Sequence, residues 1–352
     1  MVGTADTVRV VAVAGSKGGT GKSLLAANIG IFLATLGKRV VVVDGALGTP
    51  DLHVFVAVAQ PIRTLSELLT GERSALADVA VPTPIPGLRL IAGASDPSWV
   101  ASPRPSLVRR LAAELRQLPA DYVILDLGAG TSDWVLELFL SADTGIVITL
   151  PEPTAVEQAY RFLRCAFMAR LRRNGLGALL RIPAAEMRRS EGGIVAPLDL
   201  YLRALRDADP RAEALERAIL GFQPHLVVNW ARSKADMEMG RAIASAGRRR
   251  LGIPVTYLGH LEYDEAVWVA VRRRRPLLVE HPESRVSKCI EKVTRGILAD
   301  RGEPPVSDVI AGDSHYDLLE VAPTASFEDI RRANRRVRDI YGPESVVMSG
   351  LY

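Results

Sequence analysis

The chain has 352 residues, 48% of them hydrophobic and 24% charged, and 44 Lys and Arg against 40 Asp and Glu leave a net charge of only +4. That is the make-up of an ordinary soluble protein with enough material for a large core, one dominant domain and a smaller second one. It speaks against a membrane-spanning or disulfide-stapled protein: no run reaches the roughly 18 apolar residues of a spanning helix, and Cys165 and Cys289 stand far apart, outside any CxxC or His-rich cluster. They read as buried free thiols rather than as a disulfide or metal ligands. The N-terminus has no basic-then-apolar leader pattern, so the expected location is cytoplasmic, with peripheral attachment at a membrane or nucleoid.

Val8, Val10, Val11, Ala12 and Val13 read as a buried strand, and Leu24 to Leu36 as a helix packed on both sides. Between them lies Ala14-Gly15-Ser16-Lys17-Gly18-Gly19-Thr20-Gly21-Lys22-Ser23. Small residues let successive backbone N–H groups turn inward, and the helix start adds its partial positive charge, so the loop is expected to hold phosphate. Lys22 is spaced to reach the β- and γ-phosphates, and the Ser23 hydroxyl to complete the shell of a Mg²⁺ ion. ATP or ADP with Mg²⁺ is the cofactor this pattern asks for.

Ser16 stands where the common phosphate loop has its first Gly, and a second lysine, Lys17, lies five positions before Lys22. With this substitution Lys17-Gly18-Gly19-Thr20-Gly21-Lys22-Ser23 resembles the deviant Walker A motif of the MinD/ParA family. The resemblance implies an α/β P-loop NTPase, a doubly wound and mainly parallel sheet flanked by helices. It implies nucleotide contacts from Lys17, Gly18, Gly19, Thr20, Gly21, Lys22, Ser23 and Leu24. It also implies a homodimer in the ATP state, in which Lys17 reaches the nucleotide held by the other subunit.

Arg39-Val40-Val41-Val42-Val43-Asp44 is a second buried strand ending in an acid, which the geometry of α/β sheets puts on the ligand side. The segment after it resembles the family's Asp-x-Asp switch loop, whose second aspartate holds the attacking water. Here that position is Ala46. Alanine neither orients a water nor accepts its proton, so binding is expected to survive while hydrolysis falls by roughly 10²–10⁴. Asp51 and His53 lie close enough to serve as substitute bases, although a His beside Val54-Phe55-Val56 also reads as structural. The catalytic group is thus Lys17, Lys22 and Asp44, with Ala46 in the place of the water-holding acid.

A short helix at Leu65 to Leu69, a Pro-rich connection at Val81 to Pro86, a strand at Leu88 to Ile91 and an amphipathic helix from Ser106 to Leu118 follow. Asp121 to Asp126 is another buried strand with an acid at its end, the layout of a metal-fixing Walker B residue, and Gly128-Ala129-Gly130 leaves room for a second switch loop. Asp126 and Ser23 are the expected metal ligands. From "DLGAGTSD" and, after the strand Thr144 to Thr149, from "TLPEPTAVEQAY", the likeness narrows to the FlhG (FleN) branch, regulators of flagellar number and placement. It runs over most of residues 8–170 and resumes at His225.

Residues 172–224 do not share the likeness. Helical periodicity at Ala184 to Arg189 and Pro197 to Ile219 marks them as an inserted helical elaboration, a surface for an unidentified protein partner. The strand His225 to Asn229 ends in an Asn that matches the relatives' adenine-recognising residue, and Trp230 follows, placed to stack near the base. Ser233 caps a helix to Arg250, Pro254 to Gly259 is the last strand, and helices cover Asp264 to Arg275 and Glu283 to Leu298.

The ATPase domain is thus expected over 1–300 and a linker over 301–313. Residues 314–352 resemble the first half of a J domain, with Gly342-Pro343-Glu344 in place of His-Pro-Asp. The basic residues cluster at Arg248 to Arg250, Arg272 to Arg275 and Arg331 to Arg338, which suits either a membrane surface or nonspecific DNA, or simply solvated helix faces. Three functions fit: an ATP-gated dimerising switch that places or counts a surface or polar machine, a ParA-like DNA-bound cargo positioner, and a scaffold for which the nucleotide is structural.

Overall fold

The computed structural model describes residues 7–73, 75–94, 103–180 and 196–299. The stretch at 184–189, the linker and the J-domain-like segment lie outside them. The sheet has eight strands in the order β3-β4-β2-β5-β1-β6-β7-β8. In chain order these are β1 Arg9–Gly15, β2 Val40–Gly45, β3 Val81–Pro82, β4 Leu88–Ile91, β5 Tyr122–Ala129, β6 Thr144–Thr149, β7 His225–Ala231 and β8 Thr256–Glu262. All neighbours pair in parallel except β3 with β4. The mainly parallel, doubly wound architecture that the resemblance implied is the one observed.

Both faces of the sheet are covered. One side carries α1 (Lys22–Thr35), packed with Val11, Val13, Val40 and Val42 from alternate strand positions. The same layer holds a short helix, Leu277–Glu280, and the closing helix Arg285–Ala299. The other side is built from the helices Pro105–Leu115, Asp133–Ser141, Pro153–Arg173, Pro197–Arg206, Ala212–Leu220 and Lys234–Ala246, packed on Val10, Ala12, Val41 and Val43. Every residue of α1 from Leu24 to Ala34 is buried. Gly30 permits this close seating, because a Cβ there would stand 2.5 Å from the Val42 side chain.

Several boundaries differ from the sequence expectation, each for a local reason. The Pro-rich connection contributes the antiparallel edge strand β3, where Pro82 costs no interior ladder bond. The helical pattern from 197 to 219 is two helices, broken where Ala208 takes φ 49°. Ser233 does cap its helix, in a reciprocal capping box with Asp236, but regular α geometry ends at Ala246 and a wide turn over Gly247–Leu251 closes at Gly252, φ 70°. The last strand lies two residues later than expected, after the turn in which the Val255 N–H donates to Ile253 O.

Candidate functional site

Four strands, β1, β2, β5 and β7, bring the site together at their carboxyl ends. The loop between β1 and α1 ends in Gly21, whose φ of 93° is a backbone state open to glycine. Gly21 is the N-cap of α1 and gives it no side-chain cap, and no acid lies in the first turn. The leading N–H groups of α1 therefore lack the side-chain acceptor that caps most helices, and they suit an anion.

Lys22 is buried at 8% exposure, and its Nζ donates to Lys17 O at 3.1 Å. Burial lowers the Lys22 pKa, opposed by the charges of Asp126 and Asp51. Register places Asp44 of β2 directly beside Asp126 of β5, and Asp126 beside Val13 of β1. Both acids are buried, at 0% and 1% exposure.

The two acids are satisfied differently. The Asp44 carboxylate accepts the N–H groups of Ala46 and Leu52, each at 3.0 Å, so it braces the loop after β2 from inside. Burial nonetheless pushes its pKa up to about 7. Among the described residues, neither oxygen of Asp126 has a hydrogen-bond partner. Burial, then the Asp44 charge, raises its pKa well above the carboxylate range; the Ser23 hydroxyl is near enough to oppose this without meeting the geometry of a full hydrogen bond.

An unpartnered buried carboxylate next to a serine hydroxyl is costly as it stands. It fits a hard divalent cation held by oxygen ligands. Asp126 and Ser23 are the pair whose chemistry suits Mg²⁺ in this cleft.

Above these acids opens a cleft of about 540 Å³, a volume ordinary for small-molecule sites. Gly18, Gly19, Gly21, Lys22, Ser23 and Leu24 form its floor, and Ala46, Asp126 and Asn229 also line it. Ala46 presents only its methyl group. A Cβ placed on Gly128 would lie 3.4 Å from Ala46 Cα, so the segments after β2 and at the end of β5 run side by side. Asp51 lines the cleft, whereas His53 is not among the lining residues, and burial lowers the His53 pKa.

Asn229 donates its Nδ2 to Thr20 O at 2.9 Å and accepts from the Trp230 N–H at 2.8 Å. One N–H and one lone pair of the amide remain for a ligand. Trp230, at φ 61° and 44% exposed, meets Tyr263 edge-on with ring centroids 6.4 Å apart.

Lys17, expected at the nucleotide, is not among the residues lining the cleft, and its ammonium pairs with Glu152 at 2.9 Å. Sequence reasoning passed over Glu152, and also Trp134, whose indole N–H donates to Gly45 O at 2.8 Å and steadies the end of β2. It missed Val267 and Val271 as well, which wall the cleft from the helix Glu265–Arg273. Of the basic runs, Arg272 stacks 4.4 Å over Trp268 and Arg273 pairs with Glu280 at 3.8 Å, while Arg272 to Arg275 are all exposed.

A glycine loop leading from the first strand of a parallel sheet into a helix, with strand-end acids facing it, defines a P-loop nucleotide-binding protein. Residues 6–179 match the family ParA, described as "NUBPL iron-transfer P-loop NTPase", and the chain belongs to the ParA family of P-loop NTPases.

It is 30% identical over 165 residues to antiactivator FleN of Pseudomonas aeruginosa (46% of this chain, 58% of that one). It is 31% identical over 154 residues to the septum site-determining protein MinD of Bacillus subtilis (44% and 57%). The chain thus spans less than two thirds of the length of these curated relatives. Its fold is similar to that of MinD from Pyrococcus horikoshii complexed with Mg-ADP, with a TM-score of 0.57 at 21% identity, covering 84% of this chain and 99% of that one. Among the described residues, no helix is long and apolar enough to cross a membrane.

Proposed function

We propose that the protein is a Mg-ATP-gated dimerising switch of the MinD and FleN kind, controlling where or how many copies of a surface or polar machine are built. The reading rests on one observation above the others: the loop carries two lysines with opposite assignments. Lys22 is buried at the cleft, while Lys17 is half exposed and held outward by Glu152. Once it leaves Glu152, such a lysine can complete the phosphate site of a second copy. Lys22 and the α1 N-terminus bind the phosphates, Asp126 and Ser23 hold Mg²⁺, and Asn229 orients the base. Bound Mg²⁺ supplies charge neutralisation on the phosphate oxygens.

With Ala46 lining the cleft, no carboxylate is supplied from that position to hold the attacking water, so turnover is slow and the ATP dimer long-lived. The names of FleN and MinD are the support for a role in placement or counting, by analogy of family. Size-exclusion chromatography with ATP, with ADP and without nucleotide tests the switch. The wild type is expected to dimerise with ATP alone and Lys17→Ala to remain monomeric; one oligomeric state under all conditions would favour the scaffold reading and overturn this one.

The exposed Arg272 to Arg275 run favours a second reading, an ATP dimer that binds nonspecific DNA to position a cargo. That reading requires a DNA shift that needs ATP and weakens steeply between two salt concentrations.

A further inference from the structure

His260, Glu262 and Cys289 bring one ligand atom each to within 4.8 Å of one another, all three half-buried. They belong to two elements that pack together: β8, an edge strand of the sheet, and the closing helix Arg285–Ala299. His260 and Glu262 alternate along β8 and so share one side of it. From this geometry we infer that the three side chains form a site for a Zn²⁺-class transition ion, separate from the nucleotide cleft.

The donor set is one imidazole nitrogen, one carboxylate oxygen and one thiolate sulfur. This mixture suits a borderline ion that takes N, O and S ligands in tetrahedral geometry, with water in the fourth place. Zn–N, Zn–O and Zn–S bonds of about 2.0–2.3 Å put ligand atoms roughly 3.3–3.7 Å apart, so side-chain torsions need to close the cluster by only about an ångström. The ligand charges, one carboxylate and one thiolate, balance a divalent ion.

The surroundings orient the donors. The Tyr257 hydroxyl gives its proton to Met237 O at 3.0 Å, so toward His260 Nδ1, 3.4 Å away, it can only accept. That contact keeps the ring proton on Nδ1 and leaves the lone pair of Nε2 for a metal, the usual arrangement behind metal-bound histidines. The Glu262 backbone N–H is directed at the Cys289 sulfur and holds it against β8. Glu262 itself is held only loosely by Arg285, at 3.4 Å with that arginine 72% exposed, so a cation can displace the pair at little cost.

The site ties the end of β8 to the last helix, immediately before Tyr263 and the helix that walls the nucleotide cleft. The metal therefore acts as a fastener for that wall.

The test is titration of the full chain with Co²⁺ and then Zn²⁺, with Mg-ADP present throughout so that the nucleotide cleft does not contribute. One equivalent of Co²⁺ is expected to produce a thiolate-to-cobalt charge-transfer band that Zn²⁺ abolishes. Cys289→Ser loses the band and weakens Zn²⁺ binding by about 100-fold or more, Tyr257→Phe weakens it by about 10-fold, and Cys165→Ser leaves both unchanged. Circular dichroism of each metal-free variant reports folding; if Cys289→Ser does not fold, His260→Ala and Tyr257→Phe carry the comparison. Absence of the band in the wild type, its persistence in Cys289→Ser, or its loss in Cys165→Ser overturns the site. All of these readouts are independent of dimerisation and ATP turnover.

Discussion

The Lys17 ammonium lies 2.9 Å from the Glu152 carboxylate, with both side chains between a third and a half exposed. Such an ion pair contributes about 0.2–1 kcal/mol, enough to park a side chain but not to lock it. If Lys17 is released from Glu152 to serve the phosphates of a second copy, Glu152 is its competitor. Glu152→Gln is therefore expected to tighten the ATP dimer by up to about fivefold, read from sedimentation at graded protein concentration, with nucleotide affinity of the monomer unchanged. Weaker dimerisation would mean that Glu152 supports the interface instead of opposing it.

Ala46 fills a position from which an acid could hold water, and its own N–H already rests on Asp44. Ala46→Asp keeps that backbone contact and adds a carboxylate at the cleft. Turnover is expected to rise at least about tenfold, toward the roughly 10²–10⁴ of a general base, and the lifetime of the ATP dimer to fall in step. Phosphate release under single-turnover conditions checks it.

Asp44 gives the nucleotide-free protein a distinctive pH response. The unfolded carboxyl titrates near 4, whereas in the fold burial holds its proton to about 7. Between these values the folded state binds more protons than the unfolded one, so stability falls as pH rises through the window. The loss is on the order of 4 kcal/mol above the window, and Asp126, shifted the same way, adds to it. Asp44→Asn is expected to melt higher than the wild type at about pH 8 but not at about pH 5.5. Mg-ADP is expected to reduce the slope in the wild type, because the ion favours the charged form.

Gly21 is seated against Asn229. A Cβ there would come within 2.3 Å of Asn229 Nδ2, and the backbone at φ 93° disfavours any side chain. Gly21→Ala is expected to displace the amide from Thr20 O, to lower the melting temperature, and to weaken ATP binding by at least about tenfold, since a neutral hydrogen bond and the loop shape are lost together. Isothermal titration with ATP and ADP checks it.

The phosphate loop, the strand-end acids and the parallel sheet were legible because each rests on local pattern. Apolar runs ending in Asp44 and Asp126 specify buried strands whatever surrounds them, and a glycine loop between strand and helix has few other uses. What stayed hidden depends on pairs distant in sequence. Glu152 acquires meaning only from Lys17, 135 positions earlier. Cys289 reads as an isolated thiol until β8 brings His260 and Glu262 beside it. Val267 and Val271 look like the apolar face of an amphipathic helix, and nothing in their spacing reveals that this face closes the nucleotide cleft. The break at Ala208 was missed because the apolar period continues across it.

Asn28, in the middle of α1, accepts on Oδ1 the N–H of Leu278, 250 positions further along, and donates its Nδ2 to Leu24 O. With every residue from Leu24 to Ala34 buried, α1 has little room to slide or roll when a ligand arrives at its tip. It is a fixed post, so a conformational response to the nucleotide is expected in the short segments around Ala46 and Gly128, which line the cleft, and not in α1.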